Sequence, residues 1–447
     1  MKSPFYLFER IQNDLKSYLN TAYRISDVVT EKKRRDLMDK FLEKEPLLEI
    51  LPEYKQSGIS FKNITHEILK NEGVEISEVQ FLKFREFMSL GLFDGDFGMF
   101  KHQFDMLISA LKGKNCIIST GTGSGKTESF LTPLFADIFK EMFSENEDVK
   151  WCKPRSKSGD NFDWIEGEKE RTSQRKNETR PSAIRAMVLY PMNALVEDQL
   201  TRLRHALCSE NIDDFFEKEC NQNRIYIGRY NGSTLISGKE TKSKVKQVKE
   251  ELRNIRGQQN KVSNYINDNE KDEKEMYNFP IVDSSNGLNS SEMQLRWDMQ
   301  ETPPDIFITN FSMLGIMMMR DLEESIFDKT KSWLQCVDIR EDGVKKGQNE
   351  QKISDRIIKA KEERVFHLVL DEIHLYRGTS GSEISYLLRL LLNRLGLTPD
   401  STQLKILSSS ASLDGNPNKR DEFISDFFGV SSLDNFEFIP KQGEDSL

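Results

Sequence analysis

What this chain lacks narrows its class. No apolar run in its 447 residues approaches the roughly 20 residues a membrane-spanning helix needs. The start, Met1-Lys2-Ser3-Pro4-Phe5-Tyr6, has no apolar core of a secretory signal. A cytoplasmic protein without a membrane partner is therefore expected. Cysteine is scarce: the five residues are odd in number and contain no CxxC pair, which supports neither a disulfide framework nor a zinc site. An excess of positive charge is missing too. A net charge of −9 argues against a general polyanion-binding surface, although it leaves room for a locally basic groove. The 37% hydrophobic and 31% charged content is the balance of a soluble globular chain, long enough for two or three domains and a large core.

What the chain has is concentrated in Thr120-Gly121-Thr122-Gly123-Ser124-Gly125-Lys126-Thr127. This stretch follows the apolar run Cys116-Ile117-Ile118 and leads into a helix-like segment, Glu128 to Lys140. Closely spaced glycines let successive backbone N–H groups turn toward a polyphosphate, and the following helix presents its positive end to the anion. In such a loop Thr122, Gly123, Ser124 and Gly125 cradle the phosphates, Lys126 reaches the β and γ groups, and the Thr127 hydroxyl ligates Mg²⁺. Thr120 stands where the strict pattern has glycine, while the three glycines nearest the lysine are kept.

A second chemical element, Asp371-Glu372-Ile373-His374, follows the apolar run Leu368-Val369-Leu370. A carboxylate at a strand end beside a phosphate loop can hold Mg²⁺, usually through water, and a neighbouring glutamate can deprotonate the attacking water. Asp371 takes the first role and Glu372 the second; Lys126 and His374 complete the catalytic set. Upstream, Gln103 carries an amide suited to the donor and acceptor edge of adenine, with an aromatic neighbour to stack on the ring, which favours ATP. Downstream, Ser410-Ala411-Ser412 follows the run Leu404 to Leu407, so Ser410 and Ser412 are candidates to couple to His374 or to the Mg²⁺-bound carboxylate.

Two regimes are visible along the chain. Residues 1–95 show apolar residues at three-to-four spacing, Ile11, Leu15 and Leu19 among them, and predict a helical N-terminal region. From 96 to 447, short β-rich runs alternate with helix-like segments: Cys116 to Ser119, Ala186 to Tyr190, Ile225 to Ile227, Ile306 to Thr309, Phe366 to Leu370 and Leu404 to Leu407. That alternation predicts an α/β domain with a mostly parallel sheet. Polar, charge-rich segments at about 145–179 and 238–289 read as insertions. The second starts with a lysine cluster and predicts a solvated helix from about Lys244 to Ile266.

Taken in order, these motifs resemble those of superfamily 2 DEAD/DEAH-type helicases. The Gln103 region looks like the adenine-reading Q motif and Thr120 to Thr127 is similar to motif I. Tyr190-Pro191-Met192-Asn193-Ala194-Leu195-Val196-Glu197-Asp198-Gln199 looks like motif Ia, and Asp305-Ile306-Phe307-Ile308-Thr309-Asn310 like motif Ib. Asp371 to His374 is similar to motif II, and Ser410 to Ser412 to motif III with Ser as its last residue. His374-Leu375-Tyr376-Arg377-Gly378, with Gly381-Ser382, most resembles the branch joining Mrf-type repair helicases to helicases of bacterial defence loci. The resemblance implies a RecA-like P-loop fold, ATP and Mg²⁺ as cofactors, and single-stranded nucleic acid as partner, DNA rather than RNA. It also implies strand contacts from Asn193, Thr309 and Asn310, with Arg229 and Tyr230 as further candidates. Met192 and Asn310 depart from the usual Thr and Pro. Too few residues follow Ser412 to make a second RecA-like domain, so the sequence reads as the ATP-binding half of a truncated or split helicase that meets its second motor domain in trans. The alternative is an ATP-responsive subunit that binds nucleic acid or protein without motor activity.

Overall fold

The six apolar runs become strands in a computed structural model, with boundaries shifted by up to three residues. The structure describes residues 10–11, 13–19, 27–42, 53–94, 98–121, 123–153, 164–166, 170–175, 178–191, 193–268, 273–282, 290–411, 416–440 and 443–444. The strands are β1 (Asn115–Ser119), β2 (Ala186–Tyr190), β3 (Ile227–Arg229), β4 (Glu292–Met293), β5 (Ile306–Asn310), β6 (Phe366–Leu370), β7 (Leu404–Ser410) and β8 (Phe436–Ile439). They form one eight-stranded sheet in the order β4-β3-β5-β2-β6-β7-β1-β8. Every pairing in it is parallel. The short β4 and the closing β8 were not among the expected strands.

Both faces of the sheet are covered, which is why the strands read as continuous apolar runs. Alternate residues enter opposite cores. Cys116, Ile118, Val188, Ile308 and Leu407 pack under α1 (Lys101–Leu111), α2 (Lys126–Met142) and α3 (Asn193–Cys208). Ile117, Met187, Leu189, Phe307, Leu404 and Ile406 pack on the other face. That face is covered by α4 (Phe311–Met319), α5 (Glu324–Leu334), α6 (Gly378–Leu395) and α7 (Pro417–Phe428). The result is a RecA-like α/β fold with all its strand carboxyl ends on one edge.

The helical N-terminal region divides differently from the expectation. Residues 1–53 with 445–447 make one unit, and 54–444 make the other. The first contains the helix Val28–Leu42, with an Arg35–Glu31 pair at 2.6 Å one turn apart. Residues 54–95 belong instead to the α/β unit. Ser77 and Gln80 start the helix Glu78–Leu90 with a capping box. Its Phe84 and Phe87 are fully buried, and Phe87 meets Phe135 and Phe139 at centroid distances of 5.1 and 4.9 Å. Each such ring contributes about 2 kcal/mol by burial.

Described parts of the two charge-rich segments are packed. The second contains a 27-residue helix, Lys242–Asp268. Its Val248 and Leu252 join Ile165 of the first insertion, Val282, Leu295 and Trp297 in a small separate core. The helix is therefore amphipathic, with Lys242 and Lys246 exposed and Lys249 lying over the Trp164 ring at 5.8 Å.

An ionic cluster fixes the amino ends of β2 and β5. Arg185 reaches Glu141 through two bonds of 2.6 and 2.7 Å and Asp305 at 2.9 Å. Asp305 also receives Arg180 at 2.6 and 2.8 Å and the Tyr226 backbone N–H at 2.8 Å. Burial opposes its charge, but the surrounding arginines outweigh burial and hold the carboxyl well below the ordinary range. Among the described residues no helix is long and apolar enough to cross a membrane.

Candidate functional site

The chemistry gathers at the carboxyl edge of the sheet because strand order brings it there. β6, which carries Asp371 at its end, is separated by β7 alone from β1, which leads into the phosphate loop. Open parallel sheets bind ligands at this edge. The loop turns with Gly123 and Gly125 at φ of +73° and +70°. A side chain at Gly125 would be strained by that angle, and its Cβ would lie 2.4 Å from Gln103 Nε2.

The loop is braced from within and from below. Thr120 and Ser124 share a hydroxyl contact of 2.7 Å, and the Ser124 hydroxyl donates to the Gly121 carbonyl at 3.0 Å. The Thr120 residue that departs from the glycine pattern is thus part of the brace. His102 Nε2 contacts the Ser124 carbonyl at 2.8 Å; with that atom protonated the ring donates. Gln103 Oε1 accepts from the Phe100 N–H at 2.9 Å, and its Nε2 donates to the Gly125 carbonyl at 3.1 Å. Gln103 is 4% exposed. Its amide acts here as a clamp between α1 and the loop.

Lys126 and Thr127 open α2. Lys126 Nζ donates to Glu372 Oε1 at 2.6 Å, so phosphate loop and acidic motif are in direct contact. Glu372 has a left-handed backbone at φ +54°, unusual for a glutamate and a form of strain concentrated at functional sites. Its N–H bonds Asp371 Oδ1 and the Ser409 hydroxyl, each at 3.1 Å. Ser409 also donates to Asp371 Oδ1. Burial raises the Asp371 carboxyl above its ordinary range; Ser409 pulls against that shift, the Glu372 charge adds to it, and Lys126 opposes it. His374 Nδ1 receives the Ala411 N–H at 3.3 Å and lies 3.1 Å from Glu372 Oε2.

The contacts expected from motif III are present through different atoms. Ser409 on β7, not Ser410, touches Asp371. Counting by twos explains it: Lys405 bonds Asp137 on α2 and Leu407 packs in the core on that side, so Ser409 faces the phosphate loop. Ser410 lies on the alternate register, with its carbonyl accepting from the Thr120 N–H at 3.2 Å. The link to His374 is made by a backbone N–H. Thr122 and Ser412 lie outside the described residues, as does the Asn193 side chain at the start of α3.

Apart from Asn193, the expected strand-contact residues have side chains that are already engaged. Thr309 is 0% exposed and donates its hydroxyl to the Tyr230 carbonyl at 2.6 Å. Asn310 caps α4 by accepting from the Met313 N–H at 2.8 Å, a task that proline could not perform. Arg229 pairs with Glu197. Tyr230 is fully buried, stacked on Phe307 and bonded to Glu323 at 2.6 Å, so it is a core residue.

The family model of DEAD/DEAH box helicases matches residues 100–301, a stretch that includes the phosphate loop and ends before Asp371. This part of the chain is similar to a DEAD/DEAH box helicase domain. Over 466 aligned residues the chain is 26% identical to Druantia protein DruE of Escherichia coli (strain UMEA 4076-1), covering 96% of this chain and 21% of that protein. The chain thus spans about a fifth of that relative's length. Among solved structures, the DUF1998 helicase MrfA bound to DNA is 15% identical, with a TM-score of 0.42, over 92% of this chain and 34% of that one. MrfA bound to DNA and AMPPNP is 16% identical at the same TM-score and coverage.

Proposed function

We propose that this chain is the ATP-binding lobe of a nucleic-acid-dependent ATPase of the helicase type, working on single-stranded nucleic acid, DNA rather than RNA. The observation that carries the reading is the 2.6 Å contact between Lys126 and Glu372. It puts a phosphate-binding lysine, a candidate base and a buried carboxylate around one point. The hard oxygens of Thr127 and Asp371 suit Mg²⁺, and the open turn at Gly123 and Gly125 suits a polyphosphate. Bound Mg²⁺ would neutralise phosphate charge during transfer.

In this reading the incoming triphosphate takes Lys126 away from Glu372. The freed Glu372 then orients a water and accepts its proton, while Ser409 holds Asp371 and Gln103 and His102 keep the loop in shape. The Ala411–His374 contact carries changes at the nucleotide into β7. Strand contacts come from the backbone at the ends of β2 and β5, that of Thr309 included, together with Asn193, Asn310 and Arg229. Completion of the site rests on a second RecA-like lobe outside these residues, whose arginine faces the γ-phosphate. The protein works in the cytoplasm.

The test is nucleotide binding and strand-stimulated turnover in wild type and Lys126→Ala. Loss of most ATP binding in the variant is expected. Equal affinity would remove the assignment. The competing reading, an ATP-responsive binder without a motor, predicts nucleotide binding that no strand or second lobe converts into turnover.

A further inference from the structure

Two unsatisfied polar atoms lie within one turn of the acidic motif. Tyr376 is 5% exposed and its hydroxyl has no hydrogen-bond partner; Glu372 Oε2 is likewise buried and unpartnered. The second atom is the more telling. Its neighbour is His374 Nδ1 at 3.1 Å, but that nitrogen accepts the Ala411 N–H and, in that role, offers Glu372 only a lone pair. Glu372 therefore holds an acceptor without a donor, four residues before a donor without an acceptor. A buried polar atom left in this way costs stability and calls for a functional explanation.

The ring of Tyr376 is fixed while its hydroxyl is not. It meets Phe311, the residue after Asn310, edge-on at 4.8 Å and lies parallel to Phe427 at 6.2 Å. Its backbone is held by the Ile373 carbonyl at 3.1 Å. Gly381, at the start of α6, presses on it: a Cβ there would fall 2.5 Å from the Tyr376 carbonyl oxygen. Only glycine allows that approach, which gives Gly381 a physical task. Burial, followed by the Asp371 and Glu372 charges, pushes the phenol well above its ordinary range, so it stays a neutral donor.

We propose that Tyr376 is a positioning residue for Glu372: when nucleotide draws Lys126 off the carboxylate, the Tyr376 hydroxyl bonds Glu372 and holds it in its water-activating pose. This rests on the reading of Glu372 as the base. It also gives the nucleotide a route to the strand edge, because the same ring bears on Phe311 beside Asn310.

The experiment compares wild type, Tyr376→Phe, Glu372→Ala and the double variant in the full chain, by Mg·ATP binding and by thermal unfolding with and without nucleotide. Phenylalanine keeps the ring packing. Tyr376→Phe should leave the unfolding temperature of the nucleotide-free protein unchanged or raised, because the lost hydroxyl has no partner there. It should weaken Mg·ATP binding about tenfold, the size of a lost hydrogen bond to a charged group, and shrink the nucleotide-induced rise in unfolding temperature. In the Glu372→Ala background the same change should have no effect on binding. A purely structural tyrosine would lower the nucleotide-free unfolding temperature, and additive losses in the two backgrounds would separate it from Glu372; either overturns the proposal. Lys126→Ala that still bound ATP normally would instead bring down the underlying reading.

Discussion

Replacing Glu372 by Gln should tighten ATP binding while stopping hydrolysis, two effects that a simple loss-of-base argument would not pair. In the nucleotide-free protein Lys126 is occupied by Glu372 at 2.6 Å, with the two side chains only 13% and 20% exposed. A triphosphate must compete for that lysine. A hydrogen bond to a charged partner is worth about 1.5–3 kcal/mol, against about 0.5–1.5 kcal/mol for a neutral one. Glutamine keeps the shape and weakens the competitor by about 1 kcal/mol, which corresponds to roughly fivefold tighter nucleotide binding. The gain should shrink at high salt, because the pair is not wholly shielded. Strand-stimulated turnover should fall by about 10²–10⁴, the usual share of a general base. Titration calorimetry at two salt concentrations and a phosphate-release assay measure both effects. Unchanged or weaker ATP binding by Glu372→Gln would refute the competition, whatever happened to turnover.

Gln103→Ala should weaken ATP and GTP binding by the same factor, about fivefold for one lost clamp; a loss confined to ATP would return Gln103 to the role of adenine reader. Ser409→Ala should lower Mg²⁺-dependent turnover about tenfold by releasing Asp371, and unchanged turnover would overturn that role for Ser409. Asp305→Asn breaks a buried cluster with Arg180 and Arg185 and should cost about 3–5 kcal/mol of stability, read as a lower urea midpoint. Burial holds His102 below its usual 6.5, against the pull of the Ser124 carbonyl and Asp105, and its Nδ1 has no partner to accept an added proton. The folded state therefore favours the neutral ring: its contribution is complete above that pH and is lost as the pH falls toward the depressed folded value. Unfolding midpoints at pH 7 and 5.5 should show the decline, and His102→Asn should lessen it.

How much of this could be read in advance depended on whether a residue's task was set by neighbours in sequence or by neighbours in space. Strands buried on both faces announce themselves as short apolar runs, and six were visible. The two that were not have local reasons. β4 is two residues long and begins with Glu292, whose buried carboxylate takes Arg204 at 2.8 and 2.9 Å, so a structural ion pair looked like loop polarity. β8 mixes Glu437 with aromatic residues and closes the edge beside β1. The packing of residues 66–90 was hidden for the converse reason. The helices of residues 66–90 have ordinary helical periodicity, and it is their contacts with Phe135 and Phe139 on α2, and with Phe215 and Phe216, that tie their apolar face to the α/β unit.

Within the site, glycine spacing and paired carboxylates singled out two segments that the structure brings into contact through Lys126 and Glu372. Which side chain meets which atom depends on alternation and on competing partners, and there the motif pattern is one step too coarse. Ser408, Ser409 and Ser410 are identical in type and differ by the face each presents; the anchor that separates them is Lys405, four residues back, bonded to α2. Thr309 and Asn310 were singled out by their resemblance to motif Ib, yet one hydroxyl holds β3 through Tyr230 and one amide starts α4. A residue that fixes the edge of a sheet can be as constrained in type as one that touches a ligand. Separating the two therefore requires a perturbation whose effects on folding and binding differ. Tyr376→Phe meets that requirement, because the hydroxyl it removes has no partner until nucleotide arrives.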